Sequence, residues 1–297
     1  MGAESQKTLK APIEFAGIGL HTGESCRIVM RPQEENSGIT FSRKGPDWGR
    51  GPSSLVTAAP ENVVRACHGT TLANSEGVSI ATVEHVMAAL AICSIDNVAI
   101  DVFGPEIPIL DGSAAPFVER IRQTGDFTQR AERRAIVIDS PIVVADGDRS
   151  IVIEPSEVFR LSVEIDFEDC LIGRQSLSIS FDDAELIQQL ARSRTFCRLY
   201  EVEALRAKNL IRGGSLENSI VVDGAKMLNG EALRDPNEFV LHKALDLIGD
   251  LYLLGAPIRG SIRADKPGHD LNTRTALAIS QAQAQGYSAL EPIAASA

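Results

Sequence analysis

The 297-residue chain has no apolar run approaching the roughly 20 residues needed to cross a bilayer, so no membrane span is expected. Its start, MGAESQKTLK, lacks the apolar core of an export signal, and Gln6 breaks the myristoylation pattern that Met1 and Gly2 begin. A cytoplasmic protein is the expectation. Cysteine is sparse and unpatterned: Cys26, Cys67, Cys93, Cys170 and Cys197 are odd in number and form no CxxC. That argues against a disulfide framework or a cysteine zinc site and leaves most of them to be small buried hydrophobes. Basic residues are outnumbered, 29 against 40 acidic ones, for a net charge of −11. Such a field repels nucleic acid and anionic lipid surfaces, so neither is an expected partner, and any phosphate-bearing ligand needs local cations. Histidine is scarce as well, with only His21, His68, His85, His242 and His269.

What is present describes a water-soluble globular protein, 44% hydrophobic and 23% charged, and the length suits two domains of ordinary size. The first part reads as short strands over 12–21, 26–31 and 38–43 separated by turns. A helix over 82–92, a strand over 97–103 and a second helix from Ser113 to about residue 122 follow. The second part repeats this order, with strands over 135–139, 150–154, 161–167 and 176–181, a helix over 235–255, a strand over 258–264 and a helix over 271–284. It also carries an added piece over about 195–223, with a short helix near 201–208 and a strand over 219–223. The pattern predicts an α+β protein of two similar layered domains facing one another, 1–130 and 131–297, with the boundary near the charged QRAERR run at 129–134.

The helix over 235–255, DPNEFVLHKALDLIGDLYLLG, holds the densest chemistry. Asp235 suits its cap, Pro236 its first position and Gly255 the residue after its end, while Pro257 blocks continuation. His242, Asp246 and Asp250 recur at four-residue steps inside an apolar pattern, one turn apart on one face. Buried imidazole and carboxylate groups require a partner or a use. A hydrolytic zinc site has three protein ligands and an open position for water, and His85, His242 and Asp246 meet that count. Glu84, beside His85, is the candidate base, although a first-turn glutamate also serves an ordinary helix dipole. Lys243 and Lys266 stand close to His242 and His269 and are equally readable as solvated surface charges.

The segments GIGLHTG, TVEHVMAAL, PEIPILDGSAAPFV, RSRTF, HKALDLIGDL and KPGHDLN, taken in this order, resemble the bacterial zinc-dependent UDP-3-O-acyl-N-acetylglucosamine deacetylases of lipid A biosynthesis over nearly the whole chain. The resemblance implies two α+β domains, each with a small insert, and a site between them. It implies one zinc per chain on His85, His242 and Asp246, with Glu84 taking a proton from the attacking water. It assigns Thr195 to the oxyanion, His269 to the departing amine, Asp250 to orienting His269, Lys243 to holding substrate, Lys266 to the diphosphate and Phe167 to the uracil. The added piece becomes an apolar passage for the acyl chain, lined by Val202, Ile211 and Ser215, with Asn218 as a polar departure beside it. GTTLAN before His85 also departs from a cysteine-containing version. The implied reaction is hydrolysis of the substrate's acetamide to acetate and UDP-3-O-acyl-glucosamine by a monomer. A zinc peptidase or other amide deacylase needs the same chemistry but not an acyl passage. A non-catalytic nucleotide-sugar binder with structural zinc would more often complete four protein ligands.

Overall fold

The strand Val98–Phe103 alternates along its length, turning Val98, Ile100 and Val102 into the core. In the computed structural model, which describes residues 3–45, 54–168 and 171–294, it is the middle strand of a five-stranded sheet. The order is Ile13–Ile18, Ser25–Pro32, Val98–Phe103, Ile39–Lys44, Leu55–Thr57, and only Ile39–Lys44 and Val98–Phe103 run parallel. Parallel neighbours need a crossover. Between them the chain makes an insert of three short strands, Val63–Arg65, Thr71–Ala73 and Ser79–Ile80, and then helix α1 (Glu84–Ile92); α2 (Ala115–Thr124) follows the middle strand.

The second half repeats this topology. Its sheet runs Ile142–Asp146, Arg149–Glu154, Ser261–Asp265, Arg160–Asp166, Arg174–Ile179, again with one parallel pair, Arg160–Asp166 and Ser261–Asp265. The crossover contains α3 (Ala184–Arg192) and an insert in which strands Phe196–Arg198, Ile220–Asp223 and Lys226–Met227 accompany α4 (Leu199–Ala207). It ends in α5 (Glu238–Leu251), and α6 (His269–Ala284) follows the last sheet strand, so the fold is α+β with two like-ordered sheets, as the pattern predicts. No helix among the described residues is long and apolar enough to cross a membrane.

Several expected elements differ in detail. The helix expected over 235–255 starts at Glu238, and its α-helical part stops at Leu251, followed by a 3-10 turn Tyr252–Leu254. Asp235 does not cap it: its Oδ1 accepts the Asn237 N–H at 2.7 Å and its carbonyl accepts the Glu238 N–H, making a turn one step before the helix. Gly255 does take the left-handed conformation expected after the end, φ 76°. The single strand expected over 258–264 is broken at Gly260. Ile258–Arg259 pairs with Arg134–Ile138, and Ser261–Asp265 joins the five-stranded sheet. A Cβ at residue 260 would sit 3.0 Å from Ile138 Cγ1, so glycine lets the chain step between sheets. Of the cysteines, Cys26 alone among the described ones is buried, Cys67 is exposed, and Cys170 lies outside the described residues.

Buried apolar side chains of both halves form one cluster, running from Ile28 and Phe41 through Met87 and Leu245 to Ile153 and Ile262. Every residue of α5 except Lys243 is buried, a helix enclosed on all sides. Its contact with α1 depends on Gly249, where a Cβ would meet the Glu84 carbonyl oxygen at 2.2 Å and the Ala88 nitrogen at 3.2 Å. Glycine inside a helix costs about 1 kcal/mol relative to alanine. Here the missing side chain lets the two helices touch. Gly249→Ala is expected to destabilise the fold by about 1–3 kcal/mol through overpacking and to lower metal content, measured by denaturant unfolding and metal analysis. Gly230→Ala, with nothing within 4 Å, serves as the neutral control. An unaltered unfolding midpoint in Gly249→Ala would remove the claim of close approach.

Candidate metal centre and active site

Helix α1 begins on a strained residue. Thr82 has φ 59°, and its hydroxyl donates to Glu106 Oε1 at 2.7 Å, while the Val83 N–H donates to the Thr70 carbonyl. This launches Glu84 and His85 as the first helical residues, each 4% exposed. From α5, His242 and Asp246 present one face, one turn apart. The His85 and His242 rings meet edge to face at 5.1 Å, and Asp246 Oδ1 lies 3.8 Å from His85 Nε2 and 3.4 Å from His242 Nε2. The three ligand atoms fall within 4.8 Å of one another. A tetrahedral zinc with bonds of about 2.0–2.1 Å sets its ligands roughly 3.3–3.5 Å apart, so small rotations would close the site.

The donor chemistry fits a metal independently of the spacing. Asp246 Oδ1 is a buried oxygen with no hydrogen-bond partner. The His242 Nδ1–H donates to the Ser193 carbonyl at 3.1 Å, which leaves Nε2 as the free lone pair. Burial holds His85 neutral, pushing it down to about 3, and lowers His242 as well. Burial alone would raise the Asp246 carboxyl, but His242, Lys243, His269 and His85 together hold it well below the usual carboxylate range. Neutral imidazoles and an ionised carboxylate are the forms that bind metal.

Two further groups are pushed in opposite directions. Burial raises Glu84 to about 7 against the opposing pull of His269, and its Oε2 accepts the Thr70 N–H at 2.9 Å. Burial would lower His269, but Asp250 and Asp246 raise it to about 10. Its Nδ1 donates to Asp250 Oδ2 at 2.9 Å, and its Nε2 lies 3.8 Å from Asp246 Oδ2. A carboxylate poised near neutrality beside an imidazole held as a cation is a base and an acid side by side. Lys243 donates to Asp246 Oδ2 at 2.9 Å, joining the same charge network.

Glu84, His85, His242, Lys243, Asp246 and His269 line a cavity of about 740 Å³. Thr195 lies there too, fixed because its N–H donates to the Gly112 carbonyl and its own carbonyl accepts the Ile220 N–H, both at 2.8 Å. The preceding Arg194 makes a buried ion pair with Glu238 at the start of α5, Nε to Oε1 2.8 Å, tying the RSRTF segment to the helix that carries His242. The second insert supplies much of the remaining lining, including the apolar Val202, Leu205, Ile211 and Val221 together with Ser215. Asn218 is not in the lining. Its Oδ1 accepts the Ser215 N–H and its Nδ2 donates to the Gly213 carbonyl, so it lies beside the lining residues Ser215 and Ser219 and staples their loop.

Three expected site residues stand outside the lining. Asp250 lies behind His269, Phe167 packs edge-on against Phe196 at 5.6 Å, and Lys266 is held by Asp148 at 2.6 Å. Residues not singled out from the sequence include Thr70, Glu106 and the Ser193 carbonyl. Each sits inside or beside one of the segments quoted above, but their contacts arise only in three dimensions. Glu106, for instance, is fully buried and accepts from His21 N, Thr22 N, Thr22 Oγ1 and Thr82 Oγ1, binding the GIGLHTG turn to the start of α1.

Comparison with known proteins identifies the family. The pattern of the UDP-3-O-acyl N-acetylglycosamine deacetylase family matches residues 6–281. A UDP-3-O-acyl-N-acetylglucosamine deacetylase of Phenylobacterium zucineum is 45% identical over 274 residues, covering 92% of each chain. One from Acidithiobacillus ferrooxidans is 45% identical over 90% of this chain and 87% of its own, and one from Geotalea uraniireducens 42% over 90% and 85%. With the match running through both like-ordered sheets and through every residue of the metal centre, the chain belongs to the UDP-3-O-acyl N-acetylglycosamine deacetylase family.

Proposed function

We propose that the protein hydrolyses the acetamide of UDP-3-O-acyl-N-acetylglucosamine, releasing acetate and UDP-3-O-acyl-glucosamine, with one zinc held by His85, His242 and Asp246. The observation that carries this reading is that one cavity is lined both by the three-residue cluster with Glu84 and His269 and by apolar side chains of the second insert. Zinc held by these residues would supply Lewis acidity to the acetyl carbonyl and to a water. Glu84 accepts a proton from the attacking water as the water oxygen bonds to the carbonyl carbon. The Thr195 hydroxyl donates to the developing oxyanion. As the carbon–nitrogen bond breaks, the His269 Nε2–H delivers a proton to the leaving amine, while Asp250 keeps Nδ1 occupied and the ring aligned.

The division of labour follows 1–130 and 131–297. The first part supplies Glu84 and His85, and the second supplies His242, Asp246, His269 and the insert. Val202, Ile211 and Ser215 receive the acyl chain, supported by their place in the cavity wall. Lys243 holds the substrate beside the metal centre. Lys266 for the diphosphate and Phe167 for the uracil rest on family membership, and Lys266 must exchange its partner Asp148 to take that role. A nucleotide-sugar substrate fits a cytoplasmic enzyme.

Variants separate ligand from base. His85→Ala, His242→Ala and Asp246→Ala are expected to lose zinc, whereas Glu84→Gln keeps zinc and loses about 10²–10⁴-fold in acetate release. Zinc loss in all four alike would abolish the distinction.

The rate should follow a bell in pH. It rises as Glu84 ionises from about 7 and falls as His269 loses its proton from about 10, with both limbs drawn lower by a nearby dication. Asp250→Asn removes an anion that favours the imidazolium, so the alkaline limb of kcat/KM moves to lower pH. An alkaline limb that stays in place would count against His269 as the acid.

A further inference from the structure

Thr70 is fully buried and lies just before the strand Thr71–Ala73 of the first insert, outside the cavity lining. Its three polar atoms all point into the catalytic network. The backbone N–H donates to Glu84 Oε2 at 2.9 Å, and the carbonyl accepts the Val83 N–H at 3.2 Å at the start of α1. The hydroxyl donates to Asp250 Oδ1 at 2.6 Å and stands 3.4 Å from His269 Nδ1. Asp250 is fully buried, and its remaining partners are Asn272 Nδ2 and His269 Nδ1, both 2.9 Å from Oδ2. Oδ1 therefore has the Thr70 hydroxyl as its donor.

We infer that Thr70 is a positioning residue of the deacetylase reaction, a strut from the first insert that holds the Glu84 carboxylate through its backbone and the Asp250–His269 pair through its hydroxyl. The inference rests on the reading under Proposed function. Without the hydroxyl, Asp250 loses the charge-assisted hydrogen bond on Oδ1 and keeps only those on Oδ2, so the carboxylate is less firmly oriented toward the imidazole. Valine has nearly the shape of threonine, and every substitution keeps the N–H on Glu84. The hydroxyl arm is thus separable from the backbone arm.

The test is steady-state acetate release with zinc analysis for Thr70→Val and Thr70→Ser. Thr70→Val is expected to lose about tenfold to a hundredfold in kcat, the range typical of groups that orient a reacting side chain, with KM within about twofold and zinc at the wild-type level. Thr70→Ser restores kcat to within about threefold. In an Asp250→Ala background, Thr70→Val costs no more than about twofold, since the group it acts through is gone. Wild-type kcat in Thr70→Val, an equal loss in Thr70→Ser, or a fully additive loss in the Asp250→Ala background would overturn the inference. If Thr70→Val does not fold, Thr70→Ala against Thr70→Ser makes the same comparison. A second readout is independent of turnover: the Nδ1–H proton resonance of His269, identified by its absence in His269→Gln, should shift in Thr70→Val and hold in Thr70→Ser. An unshifted resonance overturns the inference. Absence of acetate release by the wild type, with the resonance behaving as expected, would instead sink only the deacetylase reading.

Discussion

Glu84 and His85 reach His242 and Asp246 because α5 carries no side chain where α1 lies against it. The Glu84 carbonyl occupies the space that a Cβ at residue 249 would need, and neither helix could shift outward without separating the ligands they bring together. Each half contributes a helix from the same place in its topology, the crossover before the middle strand of its sheet. The candidate metal cluster is thus a property of the contact between halves, and neither half holds its three residues alone. Cores are packed closely enough that a single misplaced methyl at such a contact is felt.

That closeness has an electrostatic consequence. Glu84, His85, His242, Asp246 and Asp250 are all buried, where an unpartnered charge is far more costly than in water. The site meets this by sharing: Lys243 and the imidazoles hold Asp246 ionised, Asp250 and Asp246 hold His269 cationic, and burial leaves Glu84 near neutrality. Among these carboxylates Asp246 Oδ1 is a buried oxygen left without a donor, at the point where the two imidazole nitrogens converge. Backbone strain gathers around the same cavity. Thr82, His68 and Ile211 line it with φ of 59°, 62° and 49°, and Thr82 and Ile211 are β-branched residues for which that region is costly. The Glu106 bonds to Thr82 and to the His21–Thr22 backbone show how the surroundings hold such a conformation.

Much of this was readable from the chain. The order of strands and helices in each half follows from hydrophobic periodicity, and the four-residue spacing of His242, Asp246 and Asp250 places them on one helical face before any coordinates. The two-stranded sheet of Ser5–Leu9 and Asp126–Glu132 was not anticipated, because neither strand has an alternating apolar pattern, whereas α3 does carry a helical stripe of Leu186, Ile187, Leu190 and Ala191, a signal legible in the sequence. Asp235 resembles a cap by composition, yet its side chain closes a turn one step earlier, a choice between two local hydrogen bonds that spacing does not decide. Asn218 stands beside the passage, as expected, but spends both polar atoms on its own loop. Thr70 was invisible for another reason: its partners are 14, 180 and 199 residues away, and a buried threonine has no sequence mark of its own.

The central claim is that one metal, bridging the two halves, turns this cavity into an amidohydrolase. Its most direct test is acetate release from UDP-3-O-acyl-N-acetylglucosamine while zinc is titrated into metal-free protein. The account predicts no turnover without metal and a rate that rises in proportion to added zinc, saturating at one equivalent per chain. Turnover that is independent of metal, or a zinc-loaded protein that releases no acetate, would contradict it.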